Sequence, residues 1–192
     1  NDGPALQRAG RRAIYLSLEN AYSLGRDAAN VAKFHALGVR MIGLNHMLNN
    51  DVADSSTDPR GAEWGGLSPF GREVVAECNR LGITLDASHA SDDALADLME
   101  LSRAPVVLSH SGPRAVCDHP RNVGDELLRE LAAKGGVLQV SWEFDEVKSA
   151  LRFVGVMALD AAFFEDRFKL LKSQQLCANC PRLRAQGERN GR

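Results

Sequence analysis

No run in these 192 residues approaches the roughly 20 consecutive apolar side chains that a membrane-crossing helix needs, so no transmembrane segment is expected within the chain. A charge of one sign is missing too. Lysine and arginine number 23 against 25 aspartates and glutamates, a net charge of −2 with both signs interspersed. No basic stripe therefore points to nucleic acid or to an anionic membrane surface. Cysteine is scarce, with four in all. Cys177 and Cys180 form a C-x-x-C in the tail, but no second pair completes a structural zinc site and no strand precedes it as in a thioredoxin-like redox motif. They are read as incidental thiols. The opening residues, Asn1-Asp2-Gly3-Pro4, lack an initiator methionine and the charged-then-apolar pattern of a secretory leader. The start is expected to reflect processing or truncation.

What is present is enough for one folded core: 44% of the residues are hydrophobic. Strand-like and helix-like segments alternate, which argues for a parallel α/β sheet or barrel. Ala13–Leu18 reads as a strand, Asp27–Leu37 as a helix stopped by Gly38, and Val39–Leu44 as the next strand. A polar loop then runs from Asn45 to about Gly66, and a loop of that length inside a compact domain is usually functional or disordered. Ser68-Pro69 caps and opens a helix that Gly82 ends. A strand from Ile83, a helix from Ser91 to Ser102, a strand from Pro105, a helix over Gly124–Lys134 and a strand over Val137–Trp142 follow. Asp145–Ser173 reads as helix. Residues 1–175 are expected to form one domain and 176–192 a polar, disordered tail. Five strands fall short of the eight of a (β/α)8 barrel, so the fold expected is a smaller open sheet or an incomplete barrel.

Two of those strands end on a Ser-His pair. Ile83-Thr84-Leu85-Asp86-Ala87-Ser88-His89 is one, and Pro105-Val106-Val107-Leu108-Ser109-His110 is the other. The C-terminal edge of a βα barrel is where its chemistry sits, and imidazole is a favoured zinc ligand. Glu19 ends the first strand in the same manner. A carboxylate and two imidazoles at one sheet edge are a ligand set for Zn2+, although each alone has an ordinary explanation: a helix cap for Glu19, a hydrogen bond to a neighbouring carbonyl for either histidine. His46 closes the Val39 strand and reads as a further ligand or as a donor to substrate. Arg121, on the loop after His110, reads either as a carboxylate clamp or as one half of a weak surface ion pair. His119, beside Pro120, reads as loop scaffolding.

The stretch from Leu16 to about Trp142 resembles the membrane dipeptidase (renal dipeptidase-like) zinc peptidases, in a bacterial form. The resemblance rests on Leu18-Glu19-Asn20-Ala21-Tyr22, on Gly38 to His46 with Asn49-Asn50 and Ala53-Asp54-Ser55-Ser56, and on Gly66-Leu67-Ser68-Pro69-Phe70-Gly71. It continues through Leu85-Asp86-Ala87-Ser88-His89, Ser109-His110-Ser111 and Cys117 to Val123. It implies a TIM-like barrel holding two zinc ions, with Glu19 bridging both and His89 and His110 on the second. It also implies that His46 contacts substrate and steadies the tetrahedral intermediate, and that Arg121 binds substrate carboxylate. The implied activity is hydrolysis of dipeptides, including those with a C-terminal D-residue, by a metal-activated water.

Two parts of the family pattern are missing from this sequence. No His-x-Asp pair precedes Glu19, and nothing after Trp142 matches the family's late aspartate, which serves in proton transfer. Asp160 and Asp166 do not match it. The chain thus looks like the central part of the enzyme, expected to bind one zinc tightly and to turn over dipeptides poorly. Alternatives are another metal-dependent amide or ester hydrolase on the same barrel, or a non-catalytic homologue acting as a binding or oligomerisation module. Exposed edges of an incomplete sheet favour self-association, so a homodimer is among the expected partners.

Overall fold

The structure, a computed structural model, describes residues 3–140 and the backbone of Gly155–Ala158. Its centre is a sheet of six strands: β1 (Leu16–Leu18), β2 (Val39–Gly43), β3 (Thr84–Asp86), β4 (Val107–Ser111), β5 (Val137–Val140) and β6 (Gly155–Ala158). Their spatial order is the chain order. The first five run parallel, and β6 adds antiparallel to β5. A parallel sheet that never reverses its strand order is singly wound, the arrangement of a βα barrel rather than of a doubly wound sheet, whose order switches midway. With right-handed crossovers, all the connecting helices lie on one face, and the fold is an incomplete TIM-like barrel.

The connecting helices are α2 (Asn30–Ala36), α3 (Pro69–Leu81), α4 (Asp92–Leu101) and α5 (Asp125–Ala133), preceded by a short α1 (Gly3–Arg8). Local chemistry fixes their ends. The Ser68 hydroxyl accepts from the Gly71 N–H at 2.9 Å, Pro69 fills the first helical position, and Gly82 closes α3 at φ 70°. Ser91 caps α4 through the Ala94 N–H at 3.1 Å. Val74, Val75 and Cys78 of α3, Leu95, Leu98 and Met99 of α4, and Leu128 and Leu131 of α5 are buried. They join Ile42, Leu85, Leu108 and Leu138 from the strands in one cluster. Each such leucine removed from water contributes about 1.5–3 kcal/mol, so the helix–sheet layer holds the strand ends in fixed relation.

Two sequence expectations change. β1 is confined to Leu16–Leu18, because Ala13 to Tyr15 find no partner on β2 and are exposed. Residues 155–158, expected as helix, form β6, since the edge of β5 offers a ladder of backbone partners. The parallel count of five holds, with β6 an antiparallel sixth. The remainder of the expected helix over Asp145–Ser173, the end of the Val137–Trp142 strand, the C-x-x-C and the tail lie outside the described residues. Among those described, no helix is long and apolar enough to cross a membrane.

Candidate metal centre

The C-terminal ends of β1 to β4 each deliver one polar side chain to the same edge: Glu19 after β1, His46 after β2, His89 after β3 and His110 within β4. His89 takes φ 74° and Asn20, beside Glu19, takes φ 70°. A positive φ is uncommon for any residue but glycine, although asparagine and histidine adopt it more often than most, and such backbone conformations cluster at functional sites. Glu19 Oε1 lies 3.4 Å from His89 Nε2 and 3.3 Å from His110 Nε2. The two Nε2 atoms are 2.9 Å apart. Donors bound at 2.0–2.1 Å to a tetrahedral Zn2+ lie about 3.3 Å from one another, so this triangle has the size of one face of a zinc coordination shell. The set of one carboxylate and two imidazoles fits the chemistry of the ion.

His46 stands next to this triangle without belonging to it. Its Nε2 is 3.9 Å from Glu19 Oε1, and its ring packs on that of His89 at 4.2 Å between centroids. Arg121 reaches in from the loop after β4. Its Nη1 lies 2.5 Å from Nδ1 and 2.8 Å from Nε2 of His89, and its Nη2 donates to the His110 carbonyl at 3.0 Å. The Arg121 N–H in turn donates to His119 Nδ1 at 3.1 Å, so His119 scaffolds the loop as its sequence context suggests. Burial, then the adjacent positive charge of Arg121, pushes His89 down to about 3. Its ring is therefore neutral at pH 7, the form that can coordinate a cation. His89 is buried, whereas the Glu19 side chain is 54% exposed, leaving the centre open on one side.

The long loop forms the wall of the site and is held by side chains bonding to backbone. Asp54 Oδ1 accepts from Glu63 N at 2.8 Å, and its Oδ2 accepts from Gly66 N at 3.0 Å. Asn50 donates to Asn20 Oδ1 and to the Leu44 carbonyl, both at 2.9 Å, joining the loop to the end of β1. Ser55 Oγ lies 2.7 Å from the His46 carbonyl and 3.3 Å from that of His89. Asp58 pairs with Arg60 at 2.7 Å and accepts from Asn49 N at 2.8 Å. The Arg60 bonds, first among these contacts, hold its carboxyl far below the usual aspartate range. A depressed carboxyl contributes stability that is complete above its unfolded value of about 4 and is lost as pH falls below it. Urea unfolding at pH 7 and pH 3 should therefore show Asp58→Asn less stable than wild type at pH 7 and losing less of its midpoint on acidification. Equal losses would contradict this role for Asp58.

All five residues singled out from the sequence thus meet at one edge: Glu19, His89 and His110 share the donor triangle, and His46 and Arg121 flank it. Ser55, Asp86 and Ser109 contribute contacts that the sequence reading did not assign. An aspartate ending an apolar strand, as in Leu85-Asp86-Ala87, is the signal that could have drawn attention to one of them.

A singly wound parallel α/β sheet with oxygen and nitrogen donors gathered at its strand ends is the arrangement that metal-dependent barrel enzymes use as a class. Residues 1–173 match the profile of the membrane dipeptidases, peptidase family M19. The sequence is 39% identical over 135 residues to dipeptidase tcpJ of Claviceps purpurea, covering 70% of this chain and 32% of that protein. Among solved structures it is similar to the probable dipeptidase PvdM from Pseudomonas aeruginosa, with 43% identity, a TM-score of 0.67, and 72% of this chain and 36% of that one covered. A metallo peptidase from Rhodobacter sphaeroides, liganded with a phosphinate mimic of the dipeptide L-Ala-D-Ala, aligns at 30% identity and a TM-score of 0.66, covering 72% and 40%. The chain belongs to the membrane dipeptidase family. It spans about a third of the length of the curated relatives it matches.

Proposed function

We propose that Glu19, His89 and His110 hold one Zn2+ and that the chain carries the metal-binding and carboxylate-binding parts of a dipeptidase. The substrates would be dipeptides, including those with a C-terminal D-residue. The observation that carries this reading is the convergence of the three donor atoms within 4.8 Å of one another. A zinc ion in such a site polarises the scissile carbonyl and lowers the pKa of a water towards neutrality.

The remaining steps belong to this chain's own side chains. Glu19, on the open side, supplies the anionic donor that balances the cation. Arg121 Nη1 faces the His89 ring and Nη2 donates to the His110 carbonyl, so the guanidinium would stand beside a cation held by His89 and His110. From there the guanidinium would grip the terminal carboxylate of a dipeptide with charge-assisted hydrogen bonds. A dipeptide offers few other handles, so this grip orients the scissile bond. His46, beside Glu19, is placed to donate to the oxyanion as the carbonyl becomes tetrahedral. Of the family's ligands for the other metal, only the bridging Glu19 has a match in this sequence, so this polypeptide should bind one zinc tightly and turn over slowly.

Calorimetric titration of the zinc-loaded chain with a dipeptide and with its C-terminal amide tests the assignment. A charged hydrogen bond contributes about 1.5–3 kcal/mol, so Arg121→Ala should weaken dipeptide binding roughly 10- to 100-fold and leave the amide nearly unchanged. Equal losses for both would overturn the carboxylate role. Zinc stoichiometry near two with brisk turnover would overturn the single-site reading.

A further inference from the structure

Beneath His110 lies a partly buried chain of hydrogen bonds that the proposed chemistry does not use. Asp86, at the end of β3, is 5% exposed. Its Oδ1 accepts from the backbone N–H of Ser88 at 2.9 Å and of Ser109 at 3.1 Å. Its Oδ2 takes a short hydrogen bond from the Ser109 hydroxyl. The same Ser109 Oγ lies 2.8 Å from His110 Nδ1. Ser88 Oγ, 3.3 Å from Ser109 Oγ, accepts from the His110 backbone N–H at 3.0 Å.

Counting protons along this chain fixes its direction. A carboxylate only accepts, and a serine hydroxyl has one proton to give. Ser109 gives that proton to Asp86, so towards His110 its oxygen can only accept. The hydrogen between them must then be on Nδ1 of His110, and Nε2 is left with its lone pair facing Glu19 and His89.

We propose that Asp86 is a positioning residue which, acting through the Ser109 hydroxyl, holds His110 in the Nδ1–H tautomer and so presents Nε2 to the cation. The inference rests on the metal site proposed above. It adds a buried carboxylate that sets ligand orientation from a neighbouring strand, a role that outer partners of metal-binding histidines commonly fill.

Three variants separate this role from simple structural support. Asp86→Asn keeps an oxygen for the two backbone N–H groups but turns a donor towards Ser109. The hydroxyl then points at His110 Nδ1 and favours the Nε2–H tautomer, which blocks the ligand. Ser109→Ala removes the relay and leaves the Asp86 bonds to the backbone, and Ser109→Thr retains the hydroxyl. Nitrogen-15 spectra of the metal-free protein should show His110 protonated at Nδ1 in wild type and Ser109→Thr, and at Nε2 in Asp86→Asn. Chelator competition should give zinc affinities near wild type for Ser109→Thr, lower for Ser109→Ala, and about 10- to 100-fold lower for Asp86→Asn. If His110 keeps the Nδ1–H form in both Asp86→Asn and Ser109→Ala, or if both bind zinc as wild type does, the relay is wrong. Should Asp86→Asn fail to fold, the tautomer and affinity of Ser109→Ala against Ser109→Thr decide alone. His110→Ala serves as the control. If it binds zinc as tightly as wild type, the metal site itself is misassigned, whereas loss of binding there with unchanged relay variants rejects only the relay.

Discussion

Replacing His110 with alanine is expected to lower zinc affinity by more than the roughly 100-fold that outer contacts to a metal ligand can cost. Catalytic zinc sites keep three protein ligands and an open position, and this site has three donors to offer. Without His110 the cation retains Glu19, half exposed to water, and His89, whose ring also meets the Arg121 guanidinium. His89→Ala should behave similarly, with an added penalty to the fold because that ring is buried. His46→Ala supplies the contrast. Its ring packs on His89 but lies outside the donor triangle, so zinc affinity should stay near wild type while dipeptide turnover falls. Chelator competition on the set checks the order. Equal effects of His46→Ala and His110→Ala would contradict it.

The second large effect is expected far from the donors, at Gly71→Ala. An alanine for glycine inside a helix ordinarily stabilises by up to about 1 kcal/mol, and Gly71 lies in the first turn of α3. Here a β-carbon would fall 2.1 Å from the Val52 carbonyl oxygen and 3.0 Å from its carbon. The obstructing atoms are backbone, and the same carbonyl accepts from the Ser68 N–H at 3.0 Å. Neither side can yield without moving the loop. Overpacking of this kind costs about 1–3 kcal/mol, which for a chain of this size lowers Tm by roughly 2–12 °C. Because that loop carries Ser55 to the carbonyls of His46 and His89, zinc affinity should decline as well. A thermal scan showing an unchanged or raised Tm would mean the loop does not press on α3 as described.

Much of this architecture was legible from residue patterns. Ser68-Pro69 and Gly82 bracket α3 because capping chemistry is local and needs no partner. The strand ends carrying His89 and His110 were visible for a related reason: an apolar run stopping at a polar pair marks the rim of a buried sheet. The extent of β1 was not, since Ala13 to Tyr15 are as apolar as Leu16 to Leu18, and pairing with β2 alone decides where the strand begins. β6 was hidden by helix-like spacing, which an available sheet edge overrides. At the site, residue types and strand ends indicated Glu19, His46, His89 and His110, but no spacing reveals that Asp86 meets Ser109 across two strands, or that Arg121 rests against the His89 ring. Contacts between side chains on different strands depend on register, which emerges only when the sheet is assembled.

X-ray absorption at the zinc edge, on the chain loaded with one equivalent of zinc, addresses the shared cation most directly. The account predicts two imidazole nitrogens at about 2.0–2.1 Å with a carboxylate oxygen at similar range, and one imidazole fewer in His110→Ala. Sulfur scattering at about 2.3 Å, or a His110→Ala spectrum identical to wild type, would place the metal elsewhere and contradict the account.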